Sequence, residues 1–183
     1  MLRMNDFQIM QDCKRCESHD PDRHMQLILW AEELFESTLG RGRWSRLWGF
    51  LVGVERSLAH LDRGNTILRS SYEAGRRTVP IKQIRGTEGR ETDFDASFYP
   101  LNKRSRSRWV SIAAAKYTGA EMPPVRLVQV GEQYFVRDGH HRISVGSAFG
   151  EEAIDADVIV WELEEKPASD VPLLGCKAGC NPT

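Results

Sequence analysis

The chain has 183 residues, 40% apolar and 28% charged, which suits one domain with an appendage or two small lobes around a real core. A collagen-like fibre, a low-complexity chain and a disulfide-dense miniprotein are excluded on composition. Net charge is −1, yet residues 41–108 carry fifteen basic side chains against seven acidic ones, while both ends of the chain are acidic. The basic excess is nearly all Arg, whose planar fork suits phosphate and carboxylate. It marks either a nucleic-acid footprint or internal pairing with the acidic ends. Apolar runs such as 27–31 and 158–161 fall far short of the ~18 residues of a membrane span. The opening Met-Leu-Arg-Met-Asn-Asp has no secretory apolar stretch. A cytoplasmic protein with no membrane partner is expected.

Residues 1–22 are polar and irregular and read as a flexible arm. From Arg23 the pattern turns helical: Leu27, Trp30, Ala31, Leu34, Phe35 and Thr38 share a face, and Gly40 stops the run. Trp44, Leu47, Trp48, Leu51, Val54, Leu58 and Leu61 then recur at three- and four-residue steps. Two amphipathic helices joined at Gly40-Arg41-Gly42-Arg43 predict a helical hairpin within residues 23–77, with Trp44, Trp48, Leu51 and Leu58 buried. Residues 63–78 read as a linker or short helix.

Past this point the texture changes, and residues 78–163 read as a separate mixed-sheet unit. A short strand over 79–84 enters the glycine-flanked loop Gly86-Thr87-Glu88-Gly89-Arg90. Residues 91–106 read as an extended loop, and 109–117 as a helix closed by Gly119. Pro123-Pro124 leads into a strand over 125–130. Gly131-Glu132 makes a hairpin turn, and Tyr134-Phe135-Val136 is the return strand. A helix over 143–149 and a strand over 154–161 follow. Residues 164–183, acidic and holding Pro167, Pro172 and Pro182, read as a tail. The fold class is therefore α+β: a helical hairpin in front of a small mixed sheet.

The most informative stretch is Asp138-Gly139-His140-His141-Arg142, which sits where a strand hands over to a helix. Backbone N–H groups and the positive end of the helix dipole favour an anion there. Gly139 permits close backbone approach, while His140, His141 and Arg142 can donate to phosphate oxygens. Asp138 can cap the helix, orient a histidine or hold a nucleotide's metal. The earlier loop can close on the same phosphates through Gly86, Thr87 and Arg90, with Glu88 as base.

This stretch resembles the ParB/sulfiredoxin superfamily over roughly residues 78–161, in motif and in order of elements. The resemblance implies that Gly139, His141 and Arg142 bind nucleotide phosphates. The Asp-Gly-His-His-Arg form looks most like the free-serine-kinase branch. By that analogy Asp138 and a glutamate near the first strand serve phosphoryl transfer, Glu88 being the best-placed candidate and Glu91 and Asp93 its rivals. His140 stands where sulfiredoxin carries a cysteine, which disfavours sulfinic-acid repair. Partition-type ParB proteins carry Gly-Glu-Arg-Arg here and a downstream reading domain, for which too little chain follows Arg142.

The expected ligand is thus a nucleotide (ATP, ADP or CTP) with Mg²⁺, serving phosphoryl transfer or NTP hydrolysis. The alternatives are a nucleic-acid-binding module or nuclease using Arg104-Ser105-Arg106-Ser107-Arg108, and a nucleotide-sensing protein without turnover that grips a protein partner through the hairpin. Cys13-x-x-Cys16 and Cys176-x-x-x-Cys180 form a weak zinc set, with His19 as a spare ligand.

Overall fold

The computed structural model describes residues 21–53, 58–61, 66–89 and 92–165. A long helix α1 (Pro21–Val52) comes first, followed by strands β1 (Ala59–His60), β2 (Thr66–Pro80) and β3 (Ile84–Thr87). Then come helix α2 (Arg106–Tyr117), strands β4 (Val125–Val130) and β5 (Gln133–Asp138), helix α3 (His140–Ala148) and strand β6 (Ala153–Glu165). Among the described residues the six strands form one mixed sheet in the order β1-β3-β5-β4-β6-β2. The α+β class read from the sequence holds.

The central strands are written for burial on both faces. In β4, Leu127 and Val128 point to opposite sides and both are buried. Leu127 joins Val125, Val136, Ile143 and Val158 in the core beneath α3. Val128 joins Leu61, Phe135 and Trp161 on the other face. Helices α1, α2 and α3 meet over a separate cluster built on Phe35, Leu39, Trp109 and Val145. Trp109 is fully buried, packs on Phe35 with ring centroids 5.5 Å apart, and donates its indole N–H to Ser144 Oγ at 2.9 Å. One side chain thereby ties α2 to both of its helical neighbours.

Three expectations are corrected. The helical hairpin is a single helix of 32 residues that runs through Gly40 and Gly42. Two glycines cost roughly 1 kcal/mol each in a helix interior, which the packing of Ala31, Phe35 and Leu39 upstream offsets. Gly42 is needed as it stands, because a Cβ there would lie 2.7 Å from the Pro100 carbonyl oxygen. Continuing the helix turns the tryptophan stripe outward, so that Trp44, Trp48 and Leu51 are exposed while Leu58 is buried.

The linker is the second correction. Residues 66–80 form the sheet's edge strand β2, paired antiparallel with β6 from Thr66–Glu165 to Pro80–Ala153. Most of its side chains are exposed, so no apolar alternation announces it; the ladder of backbone hydrogen bonds holds it. Third, the strand expected over 79–84 is broken after Pro80 by a 3₁₀ turn, Ile81–Gln83. The hairpin of β4 and β5, helix α2 and strand β6 form where the sequence reading put them, each somewhat longer except β4.

Trp109→Ala should therefore lower stability by about 3–5 kcal/mol, while Trp48→Ala should change it by no more than about 0.5 kcal/mol. Chemical denaturation of both variants beside the parent measures the contrast, and equal losses would contradict this packing.

Candidate functional site

Strands β1, β3 and β5 run parallel, so their C-terminal ends lie along one end of the sheet. In open sheets of parallel strands that end is where ligands bind. Here the two glycine-flanked motifs meet. The Glu88 N–H donates to the Val136 carbonyl at 3.0 Å. Thr87 is fully buried, with its hydroxyl 2.6 Å from His140 Nε2, and it accepts the Gly89 N–H at 3.2 Å. His140 stacks on Phe94 at 6.0 Å and His141 meets the same ring edge-on at 5.3 Å, so both imidazoles are buried.

Gly139 makes the junction. Its φ is +101°, and a Cβ there would come within 2.5 Å of Val125 Cγ1. Only glycine meets both conditions, a left-handed backbone and contact with the neighbouring strand. The turn therefore lies directly over β4, and α3 begins at once: the Ile143 N–H bonds the Gly139 carbonyl at 3.0 Å. The first turn of α3 holds His140, His141 and Arg142 and no acid, and its N-cap has no side chain. First-turn N–H groups carry the positive end of the helix dipole.

Arg142 is used differently from the sequence expectation. Its Nη1 donates to the carbonyls of Pro123 (2.5 Å) and Pro124 (2.7 Å), and its Nη2 to Asp138 Oδ2 at 2.7 Å. The side chain is only 16% exposed. The fork thus staples the first turn of α3 to the segment entering β4, and its reach toward an outside phosphate is reduced accordingly. Asp138 is 64% exposed at the lip of the turn.

Glu88 and Asp138 do not converge. Glu88 takes both Nε (2.6 Å) and Nη2 (3.3 Å) of Arg137, and that guanidinium lies 5.1 Å over the Trp161 ring. Trp161 belongs to the Phe135 face of the sheet. Arg137 is the extra residue of a bulge between the Leu127–Val136 and Arg126–Asp138 pairs, and its side chain goes to Trp161. Asp138 turns toward Arg142 of α3. An acid–base pair made of these two carboxylates is not formed.

Gly86 is buried within β3 beside β1, where a Cβ would collide with the Ala59 carbonyl oxygen. Its smallness is required by strand packing. Arg90, Glu91 and the four cysteines, Cys13, Cys16, Cys176 and Cys180, lie outside the described residues, as does His19. Within the Arg104–Arg108 run, Arg106 pairs with Glu32 (3.2 Å) and Glu36 (3.7 Å), and Lys103 next to the run pairs with Glu36 (3.5 Å). Part of the basic middle is thereby neutralised by α1. A cleft of about 340 Å³ opens beside the Arg142 staple, lined by Arg76, Lys116, Met122, Pro123, Glu151 and Asp155 among others.

Sequence reasoning missed Phe94, on which both histidines rest, and the turn that presents it. Asp95 Oδ1 accepts the N–H groups of Ser97 (3.0 Å) and Tyr99 (2.8 Å). Phe98 is held at φ +60° with its ring buried. A left-handed aromatic residue is strained by roughly 1–3 kcal/mol, and such strain clusters at functional sites. The legible signal was the group of aromatics Phe94, Phe98 and Tyr99 in a mostly polar stretch.

No protein-family model and no curated protein matches the chain. Among solved structures, sulfiredoxin from Arabidopsis thaliana is similar at 14% identity, over 45% of this chain and 82% of that one, with a TM-score of 0.36. A likeness of that extent assigns no activity, and the chemistry has to be read from the side chains themselves. Among the described residues no helix is long and apolar enough to cross a membrane.

The geometry sets the order of sensitivities at this turn. Gly139→Ala should cost about 2–4 kcal/mol of stability, because it meets both a left-handed backbone and Val125. Arg142→Ala should cost about 2–3 kcal/mol through the lost carbonyl bonds, and Asp138→Asn no more than about 1 kcal/mol, since that carboxylate is solvent-screened. Thermal unfolding of the three variants checks the ranking.

Proposed function

We propose that the protein binds a phosphate-bearing ligand of the nucleotide class at the first turn of α3, as a ParB/sulfiredoxin-type module whose role is binding, with no turnover assigned. The observation that carries this reading is the meeting of two motifs about fifty residues apart, through Thr87 Oγ1 and His140 Nε2 at 2.6 Å, at the C-terminal ends of parallel strands. Two further features support it. The first turn of α3 holds no acidic residue, and its N–H groups carry the positive end of the helix dipole, which favours an anion. The Gly-His-His-Arg signature is of the kind that holds nucleotide phosphates in the family it resembles.

The residues fit a phosphate better than they fit a complete transferase. Backbone donors of the α3 first turn would hold the phosphates, and Asp138, exposed at the lip, would hold a Mg²⁺ bound to them. The metal would supply charge neutralisation on the phosphate oxygens. With Glu88 committed to Arg137 on the other face, that carboxylate is not placed to act as the base for in-line transfer on this side. Recognition without chemistry is therefore favoured over the kinase and hydrolase readings. The nucleic-acid reading loses ground for a separate reason, namely the pairing of Arg106 with Glu32 and Glu36.

Calorimetric titration of the whole protein with ATP, ADP, CTP and pyrophosphate, with and without Mg²⁺, is the test. A di- or triphosphate should bind, and Asp138→Asn should abolish the Mg²⁺ dependence while leaving the metal-free affinity within about threefold. Absence of binding by all four compounds would overturn the proposal, as would affinity unchanged by Mg²⁺ in the parent for the Asp138 assignment.

A further inference from the structure

The last third of α1 presents its large side chains to solvent and its small ones to the protein. Gly42 and Gly49 are buried and Ser45 is half-buried, one line of small residues on the inward side. Trp44, Leu47, Trp48, Phe50, Leu51 and Val52 are all more than half exposed, Phe50 by 83%. At 3.6 residues per turn these six spread over roughly 200° of the helix circumference. Exposed apolar surface of this kind marks an interaction site.

Three observations select the occupant. Arg46 lies beside the apolar arc and Arg41 and Arg43 fall within it, all three exposed; no carboxylate pairs with them among the described residues, and no Asp or Glu occurs anywhere between Ser37 and Val54. An anionic partner is called for, and a second copy would oppose like charges. Next, the outward line loses its apolar character upstream, where Gly40, Ser37 and Glu33 occupy it, so the stripe is too short for a continuing helix–helix seam. Finally, a protein groove receives a stripe about 100° wide, whereas residues spread twice as far suit a fluid apolar phase. Tryptophan flanked by arginine is the composition of helices that lie at a lipid–water boundary.

We infer that the C-terminal end of α1 is a docking element for an anionic lipid surface, with Trp44, Trp48 and Phe50 entering the headgroup boundary and Arg41, Arg43 and Arg46 meeting lipid phosphates. The expectation of no membrane partner, drawn from the lack of a spanning segment, does not bear on an interfacial helix. This assignment is independent of the nucleotide reading.

The test is co-sedimentation of the intact protein with phosphatidylcholine vesicles, with and without about a quarter phosphatidylglycerol. Binding is expected only to the anionic vesicles, with a blue shift in tryptophan emission. Trp48→Glu should abolish it, and each of Arg43→Gln and Arg46→Gln should weaken it about fivefold. Tyr72→Ser, which removes another exposed aromatic on β2, should leave it intact. Because Trp48 is exposed, unchanged circular dichroism and melting of Trp48→Glu will separate lost docking from lost folding. No sedimentation with anionic vesicles overturns the inference, as does equal binding by Trp48→Glu. A dimer abolished by Trp48→Glu without vesicle binding overturns it in favour of a second copy.

Discussion

The turn at Gly139 is the constraint on which the rest of the site depends. A positive φ and a Val125 side chain pressed against its Cα leave room for no other residue. Because the chain must pass over β4 at that point, α3 starts without an intervening loop. His140 then falls against Thr87 on the neighbouring strand, Ile143 drops into the core, and Arg142 reaches the carbonyls of Pro123 and Pro124. Each of these contacts would be displaced by several ångströms if one residue were inserted in the turn. The site is positioned by sheet geometry, which is more exact than positioning by a loop.

The electrostatics follow from where that turn points successive side chains. Arg137 and Asp138 are adjacent, yet one lies over Trp161 with Glu88 and the other turns to Arg142. A bulge at Arg137 in the pairing of β4 with β5 sends the two groups to different neighbours. Arginines that look available in sequence are engaged in the fold: Arg106 with α1, Arg76 with Asp157 at 3.6 Å, Arg137 with Glu88 and Arg142 with the Pro-Pro carbonyls. Surface pairs of this type add little stability, and within the basic middle of the chain they neutralise Arg76, Lys103 and Arg106.

Legibility in the sequence tracked burial. The β4–β5 hairpin and β6 were readable because they are short apolar runs bounded by turn residues, with Ala156 and Val158 buried on one face of β6 and Trp161 on the other. Strand β2 was not, since an edge strand exposed on both faces carries no apolar period and declares itself only through pairing with β6. The contact of Thr87 with His140 was anticipated only as two loops closing on one ligand. Phe94 was missed because the aromatics of this stretch, Phe94, Phe98 and Tyr99, follow no sustained period. The bonds of Arg142 to Pro123 and Pro124 were not legible, since backbone carbonyls of a preceding Pro-Pro carry no signature of their own.

Helix α1 is the instructive failure, because its period was read correctly and its inward face was not. Large residues at three- and four-residue steps ordinarily face the core, and for Ala31, Phe35 and Leu39 they do. At Gly42 the body beneath the helix is the backbone of the segment around Tyr99 and Pro100, which comes so close that a side chain there would strike it. Contact at that range selects glycine at this position and leaves the bulky stripe outside. Exposed tryptophans at helical spacing, opposite a buried line of small residues, are thus the sign of a helix held by its narrow side. Such a helix keeps its apolar side for something other than the core, and hydration of six large apolar side chains is a standing cost that burial elsewhere in α1 must offset. The upstream half, locked to Trp109 through Phe35, provides that burial, and so the exposed end can persist as ordered helix instead of collapsing onto the sheet.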